Sequence, residues 1–223
     1  MINRREFLGI TAGAGTALAF NSDLLSAFEQ SSGTLLQRAI PSSGEMLPVI
    51  TFGPRPTGPA GIGAIKPQAT DVPAARTVLQ AFLDNGGKFV DVLHGGPIGE
   101  QAARTAADEL GIQNKMFWST PLSVAIPMLP GGVPQPPDPA VVKAAMEAKF
   151  AEFKVPRIDV VMVGAGGDAP TLLGVLREMK KEGRVRYIGV HTLLPPPNFP
   201  MGPIGSRLES IMRNEPIDFV GMD

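Results

Sequence analysis

Cysteine is absent from the 223 residues, so disulfides, thiol nucleophiles and thiolate metal sites are excluded together. The absence suits an oxidising compartment without requiring one, because many cytosolic proteins also lack cysteine. Aromatic residues are only 6% of the chain and offer no stacking platform for single-stranded nucleic acid. Net charge is −1 with no long basic run, which argues against a nucleic-acid partner. Histidine is scarce too: His94 and His191 are the only two. What is plentiful is apolar material, 43% of residues against 18% charged, which is enough to bury a core and unlike a disordered polyelectrolyte. Glycine (26) and proline (23) are abundant and clustered, which predicts long connecting loops.

The chain opens Met1-Ile2-Asn3-Arg4-Arg5-Glu6-Phe7-Leu8-Gly9. Two arginines, one spacer and Phe-Leu form the twin-arginine export pattern, in which a receptor reads both guanidiniums. An Ala- and Gly-rich apolar stretch follows from Leu8 to Phe20, and Ala17-Leu18-Ala19 supplies a small-x-small cleavage signature. The stretch falls short of the roughly 20 apolar residues that a membrane span needs, so no integral span is expected after signal removal. These features predict a signal peptide over residues 1–19, a disordered tail over 20–39, a domain over 40–223, and a periplasmic or extracellular location.

From Ile40 onward, short apolar runs alternate with helical patterns. Strands are expected at Val49–Phe52, Phe89–Leu93, Met116–Thr120, Asp159–Val163, Tyr187–Val190 and Phe219–Met222. Helices are expected at Val72–Asn85, with Val78, Leu79, Phe82 and Leu83 on one face, and at Glu100–Leu110, Ala140–Phe153, Thr171–Glu182 and Gly205–Asn214. Gly86, Gly111 and Gly183 follow helices as stops. Such alternation implies α/β architecture with a parallel sheet, either doubly wound or part of a (β/α)8 barrel. Gly58-Pro59-Ala60-Gly61-Ile62-Gly63 is a poor phosphate cradle, because it contains proline and no helix adjoins it. Trp118 and the helically spaced Met146, Phe150 and Phe153 read as core, whereas Arg55, Lys66 and Asp168 read as loop charges.

Several segments, in order, carry a resemblance. Ile40-Pro41-Ser42-Ser43-Gly44-Glu45-Met46-Leu47-Pro48-Val49-Ile50 resembles the opening hairpin of exported aldo/keto reductases. Gly87-Lys88-Phe89-Val90-Asp91 is similar to the strand that ends in that family's catalytic aspartate. Val155-Pro156-Arg157-Ile158-Asp159-Val160-Val161 and the run from Leu176 to Val190 continue the match. The resemblance implies a (β/α)8 TIM barrel, here with about six of eight strand–helix units. It also implies NADP as cofactor, its reduced form NADPH passing a hydride to a small carbonyl substrate, a tyrosine being the proton donor tuned by lysine, histidine and aspartate. A tyrosine of ordinary pKa near about 10 needs such neighbours to act at neutral pH.

Laid onto this chain, the resemblance retains only Asp91 as a catalytic residue. The tyrosine's place is Gly96, the lysine's Pro121 and the histidine's Gly164. Gly53-Pro54-Arg55 replaces a turn near the cofactor, and Gly221 replaces a glutamine beneath the nicotinamide. His191 and Thr192 stand where a polar pair holds the cofactor's carboxamide. Two glycines and a proline in place of three bulky side chains imply a widened pocket, open to a small ligand or partner subunit. The chain ends after its sixth strand, before the part where the family binds adenine and phosphates, so open sheet edges predict self-association. Asp91, His94 and His191 also form a two-histidine, one-carboxylate set of the kind that binds divalent metal. The plainer alternative is two unrelated loop histidines, since no spacing is diagnostic.

Overall fold

The computed structural model describes residues 35–54, 71–124, 128–129, 133–165, 169–192 and 202–222. Residues 1–34, on which the expected export signal falls, lie outside them, as do Arg55, Lys66, Asp168 and the glycine-rich Gly58–Gly63. The first described element is an antiparallel hairpin, β1 (Gln37–Ala39) with β2 (Met46–Pro48), joined through a turn containing Gly44. Residues 37–39, expected in the tail, are exposed and gain their order from backbone pairing alone, so they carry no hydrophobic signal. Val49 extends this hairpin, its N–H donating to the Leu36 carbonyl at 2.9 Å. The strand expected at Val49–Phe52 is accordingly reduced to one parallel bridge between Phe52 and Val90.

The remaining elements alternate. Helix α1 (Asp71–Asp84) leads to β3 (Phe89–Asp91), a 3-10 turn (Leu93–Gly95) and α2 (Gly96–Glu109). A second 3-10 turn (Gln113–Lys115) precedes β4 (Phe117–Leu122). The proline-rich stretch after β4, expected to be a loop, contains a small antiparallel pair, β5 (Met128–Leu129) and β6 (Val133–Pro134). Then come α3 (Pro139–Phe153), β7 (Ile158–Gly164), α4 (Ala169–Lys181), β8 (Val185–Thr192), α5 (Gly202–Asn214) and β9 (Phe219–Met222). The sheet order is β3-β4-β7-β8-β9, parallel throughout, which makes it the arc of a (β/α)8 barrel with its helices outside. Among the described residues no helix is long and apolar enough to cross a membrane.

Local chemistry explains the elements. Asp138 caps α3 by accepting the Ala140 N–H at 2.8 Å, and Pro139 sits at the helix's first position, where its missing N–H costs nothing. Val142, Met146, Phe150 and Phe153 then form the buried stripe of that helix. In α1 the buried residues are Ala75 and Leu79, while Val78, expected on that face, is 47% exposed. The sheet has two apolar faces. Outward side chains such as Val90, Val161, Ile188 and Val190 meet the helices, where Trp118 packs edge-on to Phe153 at 5.3 Å. Inward ones (Phe117, Val160, Met162 and Tyr187, with Phe89 and Phe219 against them) fill the barrel, and Ile40 and Leu47 of the hairpin plug its N-terminal end.

Polar stitching holds the hairpin in that position. Tyr187 Oη lies 2.7 Å from Ser43 Oγ and 2.8 Å from Glu45 Oε2, and Arg186 grips Glu45 and Asp159 together. Asp218 accepts from Ser42 Oγ (2.6 Å), Lys180 Nζ (2.5 Å) and the Ile188 N–H (2.9 Å), tying turn, helix and strand to one carboxylate.

Candidate functional site at the barrel mouth

Barrel chemistry is built at the C-terminal ends of the strands. There, parallel register sets Pro121 beside Met162, Met162 beside Gly189, Gly164 beside His191, and His191 beside Gly221. Period-two alternation sends Met162, Gly164, Gly189, His191 and Gly221 to the same inner face as the buried Phe117, Val160 and Tyr187.

Asp91 ends β3, with its N–H donating to the Phe52 carbonyl at 2.9 Å. Its Oδ1 accepts the Leu93 N–H at 3.1 Å and so starts the following 3-10 turn. This carboxylate therefore has a structural task. Gly96 closes that turn at φ 58°, ψ −170°, a region that only glycine occupies without strain. Gly164 faces the imidazole of its neighbour: a Cβ built there would lie 3.7 Å from His191 Nε2. The imidazole thus stands over the floor of the position that the resemblance assigns to a histidine. His191 is the seventh residue of β8 and not a loop residue beyond it, because the strand runs on to Thr192. Successive residues of a strand point to opposite faces, so His191 and the buried Thr192 diverge. His94 lies in the 3-10 turn, and its side chain is outside the described residues. Among the described residues no three histidine, aspartate or glutamate side chains are grouped so as to hold a metal ion.

The widened pocket expected from sequence is partly refilled. A Cβ on Gly189 would meet Met162 Sδ at 2.2 Å, and one on Gly221 would meet Met162 Cε at 3.1 Å and Leu93 Cδ2 at 3.5 Å. The Met162 thioether therefore lies across two glycines on neighbouring strands. The turn Gly53-Pro54 is also committed to packing. The Pro54 carbonyl oxygen would be 2.1 Å from a Cβ on Gly95 and 2.6 Å from one on Gly99, so only glycines permit α2 to start where it does.

The chain contains a single tyrosine, Tyr187. It sits at the opposite end of the barrel, bound to Ser43 and Glu45, and burial foremost pushes its phenol above the ordinary value. Among the described residues, the ionisable side chains that the strands bring to the mouth are the Asp91 carboxylate and the His191 imidazole. Met162 and Leu93 are the site residues that motif reasoning missed. Their only sequence signal is the alternation that makes Met162 inward.

No family model matches the chain, and no curated protein matches it in sequence. Among solved structures it is similar to an aldo-keto reductase from Bacillus halodurans in its holo form, with a TM-score of 0.59 and 19% identity over 85% of this chain. It is likewise similar to an aldo/keto reductase from Brucella melitensis (TM-score 0.56, 16% identity, 85% of this chain covered). A Bombyx mori aldo-keto reductase in complex with NADP superposes with a TM-score of 0.59 at 12% identity, again over 85% of this chain. The similarity establishes the fold, a partial (β/α)8 barrel of the shape those proteins share. The chain spans 57%, 63% and 58% of their respective lengths.

Proposed function

We propose that this chain is an exported barrel of the aldo/keto reductase family in which carbonyl reduction has been lost and the mouth serves to bind a small polar ligand. The observation that carries the reading is the position of Tyr187. The only phenol in the chain is buried against Glu45 at the far end of the barrel, so no tyrosine is available to donate a proton at the mouth. Gly96, Pro121 and Gly164 supply no side chain that relays a proton in its place.

The residues present do not fit a nicotinamide held as in the family resemblance. Gly221 presents no side chain to a ring, Met162 Cε lies 3.1 Å from where its Cβ would be, and His191 and Thr192 leave opposite faces of β8. A carboxylate and an imidazole over a floor of glycine remain, and these suit binding better than hydride chemistry. Export rests on Arg4 and Arg5 with the apolar stretch behind them.

The test is NADPH oxidation with simple aldehydes. The full chain is expected to turn over no faster than buffer. Turnover that disappears in Asp91→Asn refutes the reading, because the family mechanism would then have been rebuilt from other residues. A parallel NADPH fluorescence titration separates the two halves of the proposal. Saturable micromolar binding without turnover would favour the family reading and refute the misfit to a nicotinamide, and no binding supports a mouth adapted to another ligand.

A further inference from the structure

At the N-terminal ends of the strands, far from the mouth, a cavity of about 630 Å3 lies against β4, β7 and β8. Lys88, Lys115, Arg157, Arg184 and Arg186 line it, facing the carboxylates of Glu45, Asp159 and Glu182. The lining is cation-rich in a chain whose net charge is −1. Two of the cations are already compensated: Arg186 by Asp159 at 2.7 Å and by Glu45, and Arg184 by Glu147. Glu182 acts on Arg184 as well. The side chains of Lys88, Lys115 and Arg157 have no hydrogen bond or ion pair among the described residues.

Register brings these three together. Phe89 pairs with Phe117, Ser119 with Val160, and Ile158 with Val185. The residues just ahead of four successive strands, Lys88, Met116, Arg157 and Arg184, therefore stand side by side along the rim, with Lys115 next to Met116. Neighbouring strands lie about 4.8 Å apart, so Lys88 and Arg157 are separated by roughly 10 Å. The backbone beneath them is fixed, with the Phe117 N–H on the Lys88 carbonyl at 2.7 Å and the Ile158 N–H on the Arg184 carbonyl at 3.1 Å. Like charges on rigid strand ends repel one another until a counter-charge arrives.

We propose that this groove is a binding site for a small molecule carrying at least two phosphate groups, held by Lys88, Lys115 and Arg157. The volume lies within the range of small-ligand sites. A guanidinium fork matches phosphate oxygens in pairs, and two ammonium groups add point charges. A single phosphate would have to draw all three side chains inward from strands two spacings apart, against their mutual repulsion, whereas two or more phosphates engage them where they stand. The site does not depend on the reading of the mouth.

The test is calorimetric titration of the full chain with inorganic tripolyphosphate in 150 mM salt, which screens diffuse surface charge beyond about 8 Å. One saturable site is expected. The variant Lys88→Gln/Lys115→Gln/Arg157→Gln should bind at least tenfold more weakly, with its thermal melt checked alongside. The control Arg76→Gln/Lys143→Gln/Arg213→Gln removes the same charge from exposed pairs elsewhere and should bind within threefold of the parent chain. Trp118, the only tryptophan, lines the groove and gives an independent fluorescence readout. No saturable binding, a loss of less than tenfold, or an equal loss in the control overturns the proposal. Inorganic phosphate binding as tightly as tripolyphosphate overturns the requirement for two groups. If the triple variant unfolds, the exposed single change Arg157→Gln decides, with at least a threefold weakening expected.

Discussion

Replacing Glu100 by leucine isolates what a buried carboxylate does for this barrel. The Glu100 side chain, in the second turn of α2, is 4% exposed. It accepts Thr120 Oγ1 at 2.8 Å and Lys149 Nζ at 2.6 and 2.8 Å, with Arg104 Nε at 3.7 Å, so one carboxylate joins α2, β4 and α3. Its removal leaves the fully buried Thr120 hydroxyl without its acceptor and strands two cations. Breaking a buried pair from one side costs about 3–5 kcal/mol. Lys149 and Arg104 are 20% and 17% exposed and have Glu152 within 4.0 and 3.7 Å as a second partner, which places the loss at the low end. The expected cost is about 3 kcal/mol, and at about 2–4 °C per kcal/mol for a chain of this size the melting temperature should fall by roughly 6–12 °C. Most of that loss is the orphaned partner and not the net worth of the pair. Glu100→Leu/Lys149→Met should therefore recover at least half of it. Calorimetry with urea unfolding measures both variants. A drop below 2 °C for the single change, or a double variant no more stable than the single, would refute the reasoning.

Four further outcomes are expected. Gly189→Ala sets a methyl 2.2 Å from Met162 Sδ and 2.9 Å from Phe219 Cβ, and should cost about 1–3 kcal/mol in urea unfolding, partly recovered by Met162→Ala. Gly96→Tyr puts a phenol at the position that the sequence resemblance assigns to a proton donor but in a glycine-only conformation, so it should lose about 1–3 kcal/mol and gain no aldehyde-dependent NADPH oxidation. At Asp218 burial opposes the charged form, but Lys180 above all, with Ser42 and the Ile188 N–H, outweighs it and holds the carboxyl below its ordinary value. A depressed folded-state pKa stabilises above the unfolded value of about 3.9, and that stability is lost as pH falls through the folded pKa. Asp218→Asn should therefore flatten the acid limb of the stability curve, and an unchanged limb counts against the assignment. Arg4→Lys/Arg5→Lys should keep a signal reporter fusion in the cytoplasm, because lysine lacks the guanidinium fork, and undiminished export would show that the pair is not read.

Local signals made the element order legible, and long-range register hid the rest. Helix α3 announces itself within its own residues through Asp138, Pro139 and the stripe Val142, Met146, Phe150 and Phe153. Strand β8 is harder. It begins at Val185 and not at Tyr187, because Arg186 interrupts the apolar run and is tolerated only where Asp159 and Glu45 meet its guanidinium. Strand β1 is invisible for the opposite reason, since nothing in it is buried. That Gly96, Pro121 and Gly164 offer no proton-relaying side chain is legible by position alone. The closure of the space above Gly189 and Gly221 is not, because it depends on Met162 of β7 reaching across two later strands. The basic rim is the same problem at the other end of the sheet. Lys88, Lys115 and Arg157 form no run in sequence and become neighbours only once β3, β4 and β7 pair. Both features hang on one geometric fact, that side chains alternate with a period of two along each strand. A slip of one residue in β7 would turn Met162 and Gly164 outward. The mouth and the rim are therefore properties of one register, and a change that moves β7 against β8 should disturb both ends of the barrel together.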